Sequence, residues 1–105
     1  MTLLLKPPKT FQDFIGRYPK LGEAWGNIAE EGKKGPLDDK SARLIKLALA
    51  AGAMREGAVH ASVRKAVAMG ISREEIEQVV ALSAGVLGMP STVAVFSWVR
   101  DVLDA

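Results

Sequence analysis

Glu56, His60 and Arg64 stand at i, i+4 and i+8, the spacing that lines side chains along one stripe of a helix. His60 is the only histidine of the chain, and the chain has no cysteine. A carboxylate one turn from an imidazole can orient the ring while the ring moves a proton. A guanidinium one turn further on can hold a carboxylate of a substrate through two parallel hydrogen bonds. Together the three residues form a kit for proton abstraction beside a carbonyl: Arg64 anchors, His60 moves the proton, Glu56 orients. The same spacing also describes an ion-pair ladder on a helix surface, worth a few tenths of a kcal/mol per pair. Both readings stand at this level.

The composition removes several other chemistries. Without cysteine there is no disulfide, no thiolate nucleophile and no thiolate metal ligand. One histidine rules out a multi-histidine metal site within one chain, so neither a metal nor a cofactor is expected. The net charge of +2 is too small to argue for nucleic acid. Lys33, Lys34, Lys40, Arg43 and Lys46 cluster along the sequence without interleaved aromatics, as a solvated face does. Met1–Leu5 is apolar but too short for a secretion signal or a membrane span, so a cytoplasmic protein that binds no membrane is expected. Ser72 has no readable His–Asp partners and reads as a cap. Gly85 and Gly88 follow no strand and precede no Gly-Lys-Ser/Thr, so they are not phosphate-cradling glycines.

The elements that must position these groups read as helices throughout. At 105 residues the chain is expected to form one domain over 1–105. Such a chain hides roughly two-thirds of its unfolded surface. Its 49% hydrophobic content is more than one small core needs, which points to burial against further copies of itself. Thr10 can cap a short helix carrying Phe11, Phe14 and Ile15, ended by Pro19. Leu21, Trp25 and Ile28 mark a second helix stopping near Gly32. A third starts at Asp38 or Asp39 and ends at Gly52. Its second half is apolar nearly all round, as in an enclosed central helix. A fourth runs from about Glu56 to Met69, with Val59, Val63, Ala66 and Val67 on one face and Gly70 closing it. Ser72-Arg-Glu-Glu75 is a capping box opening a fifth. Ser91 can cap a sixth, with Val95, Phe96, Val99, Val102 and Leu103 inward. No alternating strand pattern occurs, so the expected class is all-α, about six helices.

Four segments in order carry a resemblance: Leu37–Ala50 (LDDKSARLIKLALA), Arg55–Ala66 (REGAVHASVRKA), Gly70–Ile76 (GISREEI) and Gly88-Met89-Pro90. With Tyr18-Pro19 before them, they resemble the AhpD-like superfamily and, within it, the carboxymuconolactone decarboxylase family. The resemblance implies an AhpD-like helical bundle assembled as a homotrimer or homohexamer. It implies either thiol peroxidase chemistry through a Cys-x-x-Cys, or thiol-free acid–base opening or decarboxylation of a lactone. The family's two cysteines would fall at Arg55 and Ala58, its histidine at Ser62 and its glutamate at Arg43. No thiolate can form there, which excludes the peroxidase branch. His60 lies two residues before the family's histidine position, about 200° around the helix, so it is not a simple replacement. What remains is a Cys-independent lyase acting on a small anionic lactone or carbonyl acid, with His60 and Glu56 catalytic and Arg64 and Arg43 binding substrate. The alternative is a non-catalytic oligomeric binding or scaffold protein. Arg43 can bind an anionic ligand or pair with Glu74, Glu75 or Glu77 across a subunit boundary, and bundles commonly use arginine in the second way. Trp25, Trp98, Phe96 and Met89 can line a hydrophobic pocket but read more simply as core or interface.

Overall fold

Six helices account for the regular structure in the computed structural model, which describes residues 7–105. The apolar Met1–Leu5 run lies outside the described residues. The helices are α1 (Lys9–Arg17), α2 (Pro19–Gly32), α3 (Asp39–Gly52), α4 (Glu56–Ala68), α5 (Arg73–Leu87) and α6 (Met89–Leu103). Among the described residues there is no strand. The all-α expectation therefore holds, with each helix close to its expected span.

The caps explain most of the boundaries. Asp38 opens α3, its carboxylate accepting from the Ser41 amide at 2.7 Å. Ser72 and Glu75 form the full capping box of α5: Ser72 Oγ accepts from the Glu75 amide at 3.1 Å, and Glu75 Oε1 accepts from the Ser72 amide at 3.1 Å. Gly70 takes φ +79° beyond α4, and the Gly70 and Ile71 amides return to the Val67 and Ala66 carbonyls. Ile71 is buried beside that turn, completing a Schellman end.

Three boundaries depart from the expectation. Helix α1 begins at Lys9 on extended Pro8, with no side-chain cap from Thr10. Helix α3 runs through Gly52 and closes on Met54, which adopts φ +55° while the Met54 and Arg55 amides bond the Ala51 and Ala50 carbonyls. The same Schellman geometry is thus built on a residue with a Cβ. At α6, Gly88 rather than Ser91 is the N-cap, at φ +83°, and Pro90 occupies the first turn. Proline lacks the amide that the first turn leaves unpaired, so it fits where it was expected only to break a helix.

The core lies among α3–α6. Leu47, Val59, Val63, Ile76, Val95 and Val99 are its largest fully enclosed side chains. Helix α4 packs against α3 on one side and α6 on the other, and α5 packs against α3 and α6. The second half of α3 is not enclosed within one chain: Leu47, Ala50 and Ala51 are buried, but Ile45 and Leu49 are exposed. Helices α1 and α2 pack chiefly on each other and bury no residue fully. Their crossing is close at Gly22, where a Cβ would stand 3.1 Å from the Ile15 Cβ.

Candidate functional site

Helix α4 places its residues around two seams. Val59, Ser62, Val63 and Ala66 point into the core. Glu56 and His60 lie on the edge that faces α6. There His60 Nε2 stands 3.0 Å from Asp101 Oδ2, so the Nε2–H donates to the carboxylate. The His60 side chain is only 16% exposed, against 46% for Asp101. With Nε2 engaged, Nδ1 is the ring nitrogen left to exchange a proton.

Glu56 belongs to the same cluster. Donor atoms of Glu56, His60 and Asp101 all lie within 4.8 Å of one another. One imidazole and two carboxylates can ligate a divalent cation such as Zn²⁺ or Mn²⁺. The His60–Asp101 hydrogen bond already satisfies two of those donors, so the group is internally consistent without an ion. Asp101 is the residue that sequence reasoning missed. It is 41 positions from His60, and helical spacing within one element carries no sign of it. The only available signal is that α6 puts Asp101 two residues after buried Val99, at the edge of its inward face.

A shallow polar recess adjoins this pair, lined by Ser97, Arg100, Asp101 and Asp104. Arg100 Nε donates to Asp104 at 2.9 Å, and Arg73 reaches the same carboxylate at 2.7 Å. Hydrogen bonds from Arg100 and Arg73 hold the Asp104 carboxyl below its ordinary pKa. Asp104 is therefore committed to structure, and Arg73 is shared between it and Glu77.

The arginines expected to bind substrate are placed differently from each other. Arg64 follows His60 by one turn and is half-buried, with no ion pair among the described residues. Burial lowers its pKa. Arg43 lies on α3, and its Nε is shielded from solvent without a hydrogen-bond partner. Burial lowers the Arg43 pKa too. The Lys65 pKa is lowered by burial and then by Arg43, Lys46, Arg64 and Lys33, all of one sign. Lys65 is five residues beyond His60, about 140° around α4. Arg43 thus shares the α3 side of α4 with Lys65, and the His60–Asp101 pair faces α6. Within the chain Arg43 meets no carboxylate: Glu75 is taken by its cap and by Lys40, and Glu77 by Arg73.

The sequence model of the carboxymuconolactone decarboxylase family matches residues 19–101, most of α2 through α6. The chain belongs to this family. The resemblance carried by the α3, α4 and α5 segments is therefore sound, and the six helices are those of an AhpD-like bundle. No curated protein and no solved structure matches the chain. The positions where the carboxymuconolactone decarboxylase family resemblance would put reactive groups sit on or beside the α3–α4 seam. Arg55 is the exposed N-cap of α4, Ala58 is exposed, and Ser62 is buried. None of these carries a proton at neutral pH as a thiol or imidazole does. The largest concavity is elsewhere, an apolar groove of about 530 Å³ between α3 and α5. It includes none of Glu56, His60, Arg64 or Arg43.

Proposed function

We propose that this member of the carboxymuconolactone decarboxylase family is a Cys-independent acid–base lyase acting on a small anionic lactone or carbonyl acid. The observation that carries the reading is the His60–Asp101 hydrogen bond at 3.0 Å, half-sheltered and next to an open polar recess. A neutral imidazole held through Nε2 takes a proton at Nδ1 from the carbon beside a carbonyl and later returns it. Asp101 steadies the positive ring formed between those steps, with Glu56 adding to the local negative field. Arg64, lacking an internal counter-ion, is the cation that would hold the substrate carboxylate. The protomers would assemble as a homotrimer or homohexamer, in line with the resemblance.

The second reading is a non-catalytic oligomeric binding protein. Its support is that the largest groove is apolar and gathers no convergent catalytic groups. Turnover of γ-carboxymuconolactone and simpler lactone acids by the native chain and by His60→Ala separates the two. A rate present in the native protein and lost in the variant, with the fold intact, supports the enzyme. Turnover by both at equal rates removes His60 from the chemistry. Absence of turnover by either, across the set, favours the binding protein.

A further inference from the structure

The chain carries an apolar projection and an apolar recess that do not meet. In α1 and α2, Phe11, Phe14, Tyr18, Leu21, Trp25 and Ile28 are each between 40% and 63% exposed. They recur at helical spacing, so each helix of the hairpin presents a stripe. Phe14 and Tyr18 touch, with ring centroids 5.2 Å apart, yet both remain half open. Between α3 and α5, the groove is walled by Leu44, Ile45, Ala48, Val79, Leu82 and Val86. Leu82 is 68% and Val86 84% exposed.

We infer that the α1–α2 hairpin of one copy of this chain docks in the α3–α5 groove of a second copy. Area argues for a specific contact. Six large side chains, half open at about 150–250 Å² each, offer roughly 500 Å² from the hairpin. A groove that covers them loses a comparable area, so one such contact buries roughly 1,000 Å², the lower bound for a specific interface. Reciprocal exchange, each copy giving a hairpin and receiving one, doubles it. Monomers rarely leave two apolar patches of this size open. Tethering favours the second copy over the chain's own hairpin. Only six residues, Lys33–Asp38, join α2 to α3, and with that link the hairpin packs on itself rather than across the groove. The same docking would cover the part of α3 that the sequence marks for enclosure and one chain leaves half open.

The absence of native cysteine makes the test direct. Two single-cysteine chains, Leu21→Cys and Leu82→Cys, carry different affinity tags and are mixed, oxidised and run without reductant. A disulfide between the two tags is the expected result. Leu82→Glu in the groove and Trp25→Glu on the hairpin, both at open positions, should keep the helical circular dichroism of the native chain. Each should raise the self-dissociation constant at least tenfold by light scattering after gel filtration. Any of three results overturns the inference: a native chain monomeric at micromolar concentration, an oligomer untouched by Leu82→Glu, or a Leu21→Cys/Leu82→Cys double variant that closes only within one chain. A native chain that carries a bound lipid-like molecule in the groove and stays monomeric overturns it as well.

Discussion

Replacing Asp101 by Asn separates a working His–Asp pair from a merely structural one. The substitution keeps the shape and leaves an oxygen able to accept from His60 Nε2, but removes the negative charge. A hydrogen bond of this kind contributes about 0.5–1.5 kcal/mol net to folding. Asp101 is 46% exposed and His60 16%, so solvent competes for the bond and the low end applies, about 0.5 kcal/mol. The chemical step is asked for more. Proton transfer by a positioned side chain contributes about 10²–10⁴-fold. Losing the charge that steadies the protonated ring should cost at least about tenfold in turnover, or about 1.4 kcal/mol of barrier. The expected result is therefore a rate loss clearly larger than the stability loss. Urea denaturation followed by circular dichroism gives the second quantity. It must be run at one protomer concentration, because association stabilises by mass action. Turnover at saturating substrate gives the first. A stability loss above about 2 kcal/mol with unchanged turnover would refute the reasoning and make the pair a structural tie between α4 and α6.

Three further outcomes follow from local geometry. Lys40 and the Ser72 cap hold the Glu75 carboxyl below its ordinary pKa of 4.5. A depressed carboxyl stabilises above its unfolded pKa, and that contribution disappears as pH falls through the folded value. Glu75→Gln should thus lose stability near pH 7 and show a shallower acid limb below 4.5 than the native chain, as read by denaturation across pH. Lys65 has the opposite sign. Its pKa is lowered by burial and by neighbouring cations, so its charge opposes folding below the folded value and the penalty lifts as pH climbs toward 10.5. Lys65→Met should leave the chain as stable or more stable at pH 7, and a clear destabilisation would contradict the like-charge account. Met54→Gly should raise the denaturation midpoint by the equivalent of about 0.5–1 kcal/mol, since a left-handed φ is costly only to a residue with a Cβ.

What the sequence discloses here depends on how far apart the cooperating residues lie. Caps involve residues three apart, so Ser72–Glu75, Asp38 and Gly70 were legible, and helix spans followed from them. Met54 was not legible, because nothing in its chemistry announces a left-handed turn. Gly52, the residue that does, sits two positions earlier inside the helix. The Glu56–His60 stripe was visible from i, i+4 spacing. Its completion by Asp101 required knowing how α6 packs on α4. The apolar second half of α3 was legible as a surface to be covered, but the sequence could not say that one chain leaves Ile45 and Leu49 open.

The register of α4 decides what chemistry this member of the family can share with its relatives. The positions where the resemblance puts thiols, imidazole and carboxylate fall toward α3. In this chain they hold Arg55, Ala58, Ser62 and Arg43, with Lys65 close to Arg43. That seam is cationic and lacks a group that exchanges protons near neutral pH. The one imidazole is turned about 200° from the aligned position and meets a carboxylate from α6 instead. A substrate seated at the α3–α4 seam would therefore not reach His60. If His60 works, the α4–α6 recess must receive the substrate, and changes at Arg43 should leave turnover nearly untouched while changes at Asp101 reduce it. Should Arg43→Ala instead abolish turnover in a chain that still folds and associates, the chemistry belongs to the α3–α4 seam and the His60–Asp101 pair is structural.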